Sequence, residues 1–157
     1  MEVFLGKDNL GDDDCSRSWA VFIYLTPPET DPPLSFTNID FYVSPTSRKA
    51  IKDAADFIGS SHLTIQETSK TVAKLDEIEI DRPLQNRGIG SLLYEYVETW
   101  ACKNKITQIS GDLSPVDSDH FDTLERFYKK YGFTFTIFKQ PTTNTWYLGK
   151  VEKFLTL

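Results

Sequence analysis

The segment from Thr71 to Trp100 joins a strand-like run to a helix through a loop with two glycines. The run ends at Ile80, and the loop carries Gly88 and Gly90 in the stretch LQNRGIGSLL. The apolar residues after the loop have the spacing of one helix face. They are Ile89, Leu92, Leu93, Tyr96, Val97 and Trp100. This order predicts a domain that contains both sheet and helix.

Strand-like runs rich in aromatic and β-branched residues lie on both sides of this segment. They are Trp19 to Leu25, Phe36 to Val43 and His62 to Gln66 before it, and Ile106 to Ser110, Phe133 to Lys139 and Thr145 to Leu155 after it. The Pro-rich residues 26–35 are interpreted as a long hairpin loop between the first two runs.

Two more helices are predicted. Ser44 and Pro45 form a good N-cap and N1 pair, with Gly59 as the C-cap of the same helix. The other begins near Asp119 and stops at Gly132, with an apolar stripe along it. The order of elements predicts an α+β fold with a mixed, mostly antiparallel central sheet flanked by helices.

The length and charge narrow the possible functions. A chain of 157 residues is the size of one domain, so residues 1–157 are predicted to form a single domain. The formal net charge of -6 argues against a nucleic-acid partner, which requires a basic face.

No apolar run is long enough for a membrane span, and no signal peptide is evident, so a cytoplasmic protein is expected. Cys15, Cys102 and Asp12 to Asp14 match no metal-binding spacing, so no metal is expected.

The glycine loop precedes a helix N-terminus, where unpaired N–H groups and the helix dipole attract anions. Gly88 and Gly90 leave room for a close backbone approach, and Gln85, Asn86 and Arg87 add hydrogen-bond donors. The loop is therefore interpreted as a pyrophosphate-binding site. The alternative is that the glycines merely shape a tight turn between the strand and the helix.

Two other glycine loops fit less well. A Walker-type phosphate loop has a lysine after its last glycine, whereas Ser91 follows Gly90 here. A dinucleotide fingerprint is closer, because Asp112 lies about 20 residues after the glycines, where that fold has its ribose-binding acid. However, Leu93 replaces the third glycine, and residues 81–87 separate the strand from the glycines.

The stretch QNRGIG, Gln85 to Gly90, resembles the acyl-coenzyme A loop Gln-x-x-Gly-x-Gly of the GNAT superfamily of N-acetyltransferases. Before it, Leu75, Ile78 and Ile80 break the period of two, as a β-bulge would. The corresponding strand of the family carries a bulge and splays from its parallel neighbour, which opens a slot for the pantetheine arm. After the loop, LERFYKKYGF, Leu124 to Phe133, resembles the family's last helix and turn.

The resemblance implies a GNAT-like acyl-CoA N-acyltransferase fold, with acetyl-CoA as cosubstrate and no metal. The pyrophosphate would lie on the loop amides, and the thioester would lie against the strand that ends at Ile80, where a freed backbone N–H would stabilise the developing oxyanion. The residues that the resemblance assigns to the cofactor are Ile78, Ile80, Gln85, Asn86, Arg87, Gly88, Ile89, Gly90, Ser91 and Tyr128.

Direct transfer to an amine requires a base for the ammonium and an acid for the departing thiolate. Tyr128 matches the position of the family's general acid, although its place in the apolar stripe also fits a core residue. Glu77 and Glu79 on the central strand are candidate bases or ligands of a cationic acceptor, although they could instead face solvent or pair with lysines. His62 alone indicates no catalytic role.

Four polar residues, Asp112, Asp117, Asp119 and His120, follow the next strand, where the coenzyme arm and the acceptor meet in the family. Phe121 stands where the family commonly has an asparagine.

The predicted function is therefore transfer of an acetyl group from acetyl-CoA to a primary amine of a small molecule or peptide. The alternatives are a non-catalytic acyl-CoA-binding module and a nicotinamide-dependent oxidoreductase. Homodimers are common in the family and are an option here.

Overall fold

The computed structural model describes residues 2–7, 18–26, 36–45, 59–66, 69–82, 85–86, 88–139 and 147–156. The strands of this part are β1 (Glu2–Lys7), β2 (Ser18–Thr26), β3 (Phe36–Pro45), β4 (Gly59–Gln66), β5 (Val72–Ile80), β6 (Gln108–Leu113), β7 (Thr134–Ile137) and β8 (Gly149–Phe154). The helices are α1 (Ile89–Lys103), a 3₁₀ helix (Pro115–His120) and α2 (Phe121–Lys130).

In the described part, the eight strands form one sheet in the order β1-β2-β3-β4-β5-β6-β8-β7. All neighbours are antiparallel except β5 and β6, which are parallel. Parallel neighbours need a crossover connection, and α1 provides it. The predicted α+β fold with a mixed, mostly antiparallel sheet is confirmed.

The helix α1 packs its apolar face on β3, β4 and β5. Leu93 and Val97 are fully buried there, so truncating Leu93 to alanine would cost about 2–5 kcal/mol of stability. The main core residues of the helix and the sheet are Ile39, Phe41, Val43, Leu63, Ala73, Leu75, Leu92, Leu93, Tyr94, Val97, Trp100, Ile109 and Val151.

The helix α2 ends where the sequence predicts. Gly132 has a φ of 80°, and the N–H of Phe133 donates to the carbonyl of Tyr128 at 3.0 Å. Phe133 itself is buried, so the turn ends the helix and also anchors it to the core. Its other end differs from the prediction, because the 3₁₀ helix occupies the residues before Phe121.

The predicted helix between Ser44 and Gly59 has its ends wrongly placed. Ser44 and Pro45 are the last residues of β3, and Gly59 is the first residue of β4. A Cβ at Gly59 would lie 2.5 Å from Cδ1 of Ile80, so close packing explains this glycine. Residues 46–58 and the hairpin loop 27–35 lie outside the described residues, although β2 and β3 do pair as a hairpin requires. The sequence patterns did not indicate β1.

Candidate active site

A cleft opens where the two parallel strands separate. β5 and β6 pair only over Val72 to Lys74 and Gln108 to Ser110. Beyond these residues β5 continues beside β4, and β6 continues beside β8. Gly111 directly follows the last paired residue of β6. The two strands are still so close there that a Cβ on Gly111 would stand 2.9 Å from the carbonyl oxygen of Leu75, which explains the glycine. The separation that the resemblance implies is therefore present.

The cleft has a volume of about 390 Å³ and is lined by β5, the glycine loop, α1, β6, the 3₁₀ helix and α2. Its lining residues are Asp76, Glu77, Ile78, Ile80, Gln85, Asn86, Gly88, Gly90, Ser91, Asp112, Leu113, Asp117, Thr123, Leu124, Phe127 and Tyr128.

A β-bulge changes which side chains of β5 face the cleft. Leu75 pairs with Leu63, but His62 pairs with Glu77, so Asp76 is the extra residue on β5. The predicted bulge is confirmed. Because it precedes Glu77, Glu77 and Glu79 point to the same face of the strand.

The N-terminus of α1 opens into the cleft with free N–H groups. Its N-cap, Gly88, has a φ of 83°, and no side chain of the described part caps the helix. The first bond within the helix runs from the N–H of Leu92 to the carbonyl of Gly88, at 3.0 Å. The N–H groups from Gly88 to Ser91 therefore have no partner within the helix and can bind an anion.

One side chain ties the glycine loop to β5, and another places a positive charge beside the N-terminus of α1. The amide of Gln85 donates to the carbonyl of Ile80 at 3.0 Å, so it ties the loop to the end of β5. The ammonium of Lys130 on α2 donates to the hydroxyl of Ser91 at 3.1 Å. A cation therefore lies beside the helix N-terminus, which further favours an anion there.

Tyr128 faces the cleft from α2. Burial, and then the charge of Asp117, raises the pKa of the Tyr128 phenol to about 12. The phenol therefore keeps its proton at neutral pH and can donate it.

The strand side of the cleft is acidic. Asp76, Glu77 and Asp112 line it, and Asp117 of the adjacent 3₁₀ helix adds a fourth carboxylate. Lys74 donates to Asp112 at 2.8 Å across the separating strands, and this hydrogen bond is the main cause of the raised pKa of Lys74. The cleft therefore has an anion-binding end at α1 and an acidic wall along the strands.

His62 and Asp40 extend this acidic wall into the sheet. Nδ1 of His62 is 2.5 Å from Oδ1 of Asp40, and Nε2 of His62 is 3.2 Å from Oε1 of Glu77. No sequence pattern indicates this contact. Alternation places Asp40 and His62 on the polar faces of their strands, but the register between strands cannot be read from one sequence.

The predicted residues do not all reach the cleft. Glu79 does not line it, and the side chain of Ile89 is buried in the core, so only the main chain of Ile89 can face a ligand. Asp119 and His120 are exposed on the 3₁₀ helix. Arg87 lies outside the described residues.

Within the described ranges, no helix has the length and apolar character to cross a membrane. The same ranges contain no group of three or more His, Cys, Asp or Glu side chains placed to hold a metal ion. Cys15 and Asp12 to Asp14 are not among the described residues.

Comparison with known proteins gives one family. The sequence profile described as "Acetyltransferase (GNAT) family" matches residues 17–133. No curated protein sequence gives a significant match.

Solved structures share the fold at low sequence identity. Ard1 from Thermoplasma volcanium is 17% identical with a TM-score of 0.56, over 75% of this chain and 71% of that chain. A GNAT-family acetyltransferase from Staphylococcus aureus is 14% identical with a TM-score of 0.55, over 76% and 69%. The ribosomal-protein-S18-alanine N-acetyltransferase from Escherichia coli is 14% identical with a TM-score of 0.54, over 76% and 70%. At these identities the likeness shows the fold alone.

Proposed function

Because the chain belongs to the acetyltransferase (GNAT) family, we propose that it transfers an acetyl group from acetyl-CoA directly to a primary amine of a small molecule or peptide. One observation carries the proposal: the uncapped N-terminus of α1 opens into the cleft between β5 and β6. All eight described strands belong to one sheet, which supports treating residues 1–157 as a single domain.

The amide groups at the start of α1 would bind the coenzyme's pyrophosphate. The left-handed conformations of Asn86 and Gly88 turn the chain so that the helix starts at the cleft wall. Lys130 adds a positive charge beside Ser91. Asn86, Gly88, Gly90 and Ser91 line the cleft, while Arg87 is included from the sequence pattern alone.

The separated part of β5 would stabilise the reacting thioester. From Leu75 to Ile80 the strand pairs with β4 but not with β6. Its main-chain N–H groups on the β6 side are therefore available to the thioester oxygen, where negative charge develops during attack. Ile78 and Ile80 line the same wall and would exclude water from it.

Tyr128 would be the general acid that protonates the departing thiolate. A phenol with a pKa of about 12 holds its proton until the thiolate forms.

Glu77 would accept a proton from the acceptor's ammonium, because it lies in the cleft on the strand beside the thioester. Glu79 lies two residues further along the same face, where it would attract the cationic acceptor. The acidic wall of the cleft explains why the acceptor would be an amine that arrives with a positive charge.

Thiol release in the presence of a panel of amines tests this function. We expect release of free coenzyme A thiol that depends on both acetyl-CoA and an amine. Tight acetyl-CoA binding without thiol release for any amine would instead indicate a non-catalytic acyl-CoA-binding module. Thermal stabilisation by a nicotinamide dinucleotide and not by coenzyme A would indicate an oxidoreductase.

A further inference from the structure

We propose that Asp40 and His62 are positioning residues that draw the acceptor's proton away from Glu77, so that Glu77 can act as the base of acetyl transfer. This inference rests on the proposed function and extends it by two residues on strands behind the cleft. The observations that support this inference are the pairing of β3 with β4, the pairing of β4 with β5, and the position of Glu77 in the cleft.

The three side chains are cross-strand neighbours. Asp40 on β3 pairs with His62 on β4, and His62 pairs with Glu77 on β5. Directly paired residues project from the same face of a sheet, so the three groups form a row across three strands. The 2.5 Å between Asp40 and Nδ1 fits a hydrogen bond, and the 3.2 Å between Nε2 and Glu77 fits one whenever either of these two groups carries the transferred proton.

The bulge places Glu77 in the row. Regular pairing beyond Leu63 and Leu75 would put Asp76 opposite His62, and the extra residue puts Glu77 there instead. Asp76 accepts a hydrogen bond from Thr64 and is not joined to the histidine. The irregularity that accompanies the opening of the cleft therefore also connects Glu77 to His62.

The three side chains become less exposed from Glu77 to Asp40, so Glu77 is the end of the row that a substrate can reach. Glu77 is 53% exposed and lines the cleft, whereas His62 and Asp40 are 30% and 23% exposed. Asp40 accepts a hydrogen bond from Nδ1–H of His62, which leaves the lone pair of Nε2 facing Glu77. A proton taken up by Glu77 can therefore pass to Nε2, which lies 3.2 Å from Oε1 of Glu77.

The protons balance over one turnover. The acceptor's ammonium gives one proton to Glu77, and Glu77 gives a proton to His62. The amine nitrogen then bonds to the acetyl carbon as the carbon–sulfur bond breaks, and Tyr128 protonates the thiolate. The new amide's surplus proton restores Tyr128, and His62 releases its proton to water. The net reaction releases one proton for each acetyl group transferred.

Few other ionisable groups lie near His62 in the described part of the chain. Tyr42 on β3 contacts its ring edge-on, at 6.1 Å between ring centroids. On β5, Glu79 is opposite Ser60, two residues from the histidine. The charged side chains in contact with His62 in that part of the chain are therefore those of Asp40 and Glu77.

Substitutions of His62 and Asp40 test whether the row removes the acceptor's proton, and a substitution of His120 is the control. His62→Gln keeps a polar side chain that cannot take up a proton. Asp40→Asn removes the charge and replaces one acceptor oxygen with an NH₂ donor, so the Nδ1–H tautomer of His62 is no longer enforced. His120→Gln changes an exposed histidine that does not line the cleft. For each protein, kcat and the KM for acetyl-CoA are measured between about pH 7 and pH 10 with an amine from the panel.

We expect His62→Gln and Asp40→Asn to lower kcat by roughly 10- to 100-fold near pH 7, with the KM for acetyl-CoA unchanged. The deficit shrinks toward pH 10, because an alkylamine with a pKa of about 10 then arrives partly deprotonated. His120→Gln keeps the wild-type profile. Combining His62→Gln with Glu77→Gln costs no more than Glu77→Gln alone, because both changes block the same proton path. A deficit that is constant with pH, or no deficit, overturns the proposal.

The tautomer of His62 gives a second readout that needs no turnover and no variant. Nitrogen NMR of the wild-type imidazole at about pH 8.5, where a free imidazole is neutral, is expected to show the proton on Nδ1. A proton on Nε2, whether or not Nδ1 also carries one, overturns this proposal even if the enzyme acetylates amines. If the tautomer is as expected but no amine is acetylated, the proposed function fails, and the proton path fails with it.

Discussion

The hydroxyl of Ser61 donates a hydrogen bond of 2.9 Å to the main-chain carbonyl of Glu77, across the bulge in β5. Ser61 is fully buried on β4. The bond satisfies a carbonyl where the regular ladder is interrupted. It also holds the main chain of the residue whose side chain faces both the cleft and His62.

Replacing Ser61 with alanine removes this bond from the carbonyl of Glu77, the residue after the bulge. We expect the free energy of unfolding in urea to fall by about 1–3 kcal/mol. Ser60→Ala, on the preceding residue of β4 and only partly buried, is the control and should cost less than about 0.5 kcal/mol. Equal stability of the two variants would show that the bulge does not depend on Ser61.

Gly90→Ala separates the anion-binding role of the loop from its role in shaping a turn. A Cβ at Gly90 would be 3.7 Å from Ile80 and 3.8 Å from Phe127, which is ordinary contact. The protein should therefore fold with unchanged or slightly higher stability, up to about 1 kcal/mol, because alanine favours helix. The added methyl lies at the cleft wall, so calorimetry should show coenzyme A binding weakened by about 10-fold, or 1.4 kcal/mol.

Gly88→Ala gives the opposite pattern in stability. Gly88 is left-handed, and alanine there should cost about 1–2 kcal/mol. If Gly90→Ala binds coenzyme A as tightly as wild type, the glycines only shape the turn.

Tyr128→Phe tests the general acid. Turnover should fall by about 100-fold or more, while the affinity for acetyl-CoA stays unchanged, because the hydroxyl acts only as the thiolate leaves. Tyr131→Phe is the matched control at the C-cap of the same helix, since its hydroxyl is buried and has no hydrogen-bond partner in the described part. Wild-type turnover of Tyr128→Phe would assign the tyrosine to the core instead.

Stability at alkaline pH depends on Tyr128. Burial raises its folded pKa to about 12 from an ordinary value of 10.0. The neutral phenol is favoured in the fold, so its contribution is fully present below about pH 10 and is lost as the pH rises toward 12.

The loss amounts to a few kcal/mol at most, since each pKa unit corresponds to about 1.4 kcal/mol. Urea unfolding at pH 9 and near pH 12 should therefore show a smaller alkaline loss for Tyr128→Phe than for wild type. Burial also raises the pKa of Tyr94, but Tyr94 is present in both proteins and cancels in the difference. Parallel losses in the two proteins would mean that Tyr128 is not buried as described.

Local patterns predicted the parts of the site that lie close together in the sequence. The stripe from Ile89 to Trp100 identified α1, and the phase slip between Leu75 and Ile78 identified the bulge. Tyr94 was not assigned to the buried face, yet it is fully buried. The reason is tertiary, because Phe127 of α2 and Tyr131 at its C-cap pack against the ring of Tyr94.

The row of Asp40, His62 and Glu77 could not be predicted, because it depends on the register of three strands. Asp40 and His62 are separated by 22 positions, and shifting either pairing by one residue would turn the histidine away from its partners. The ends of β3 and β4 were misjudged for a related reason. Ser44, Pro45 and Gly59 have strong local preferences as helix caps, but strand pairing overrides them.

The most direct test of the central claim is a crystal structure of the protein with acetyl-CoA. We expect the pyrophosphate oxygens within about 3 Å of the main-chain nitrogens at the start of α1, and the thioester between the separated β5 and β6 near Ile80. Phosphates bound elsewhere, or a side chain occupying the N–H groups of Gly88 to Ser91 at saturating acetyl-CoA, would contradict the account.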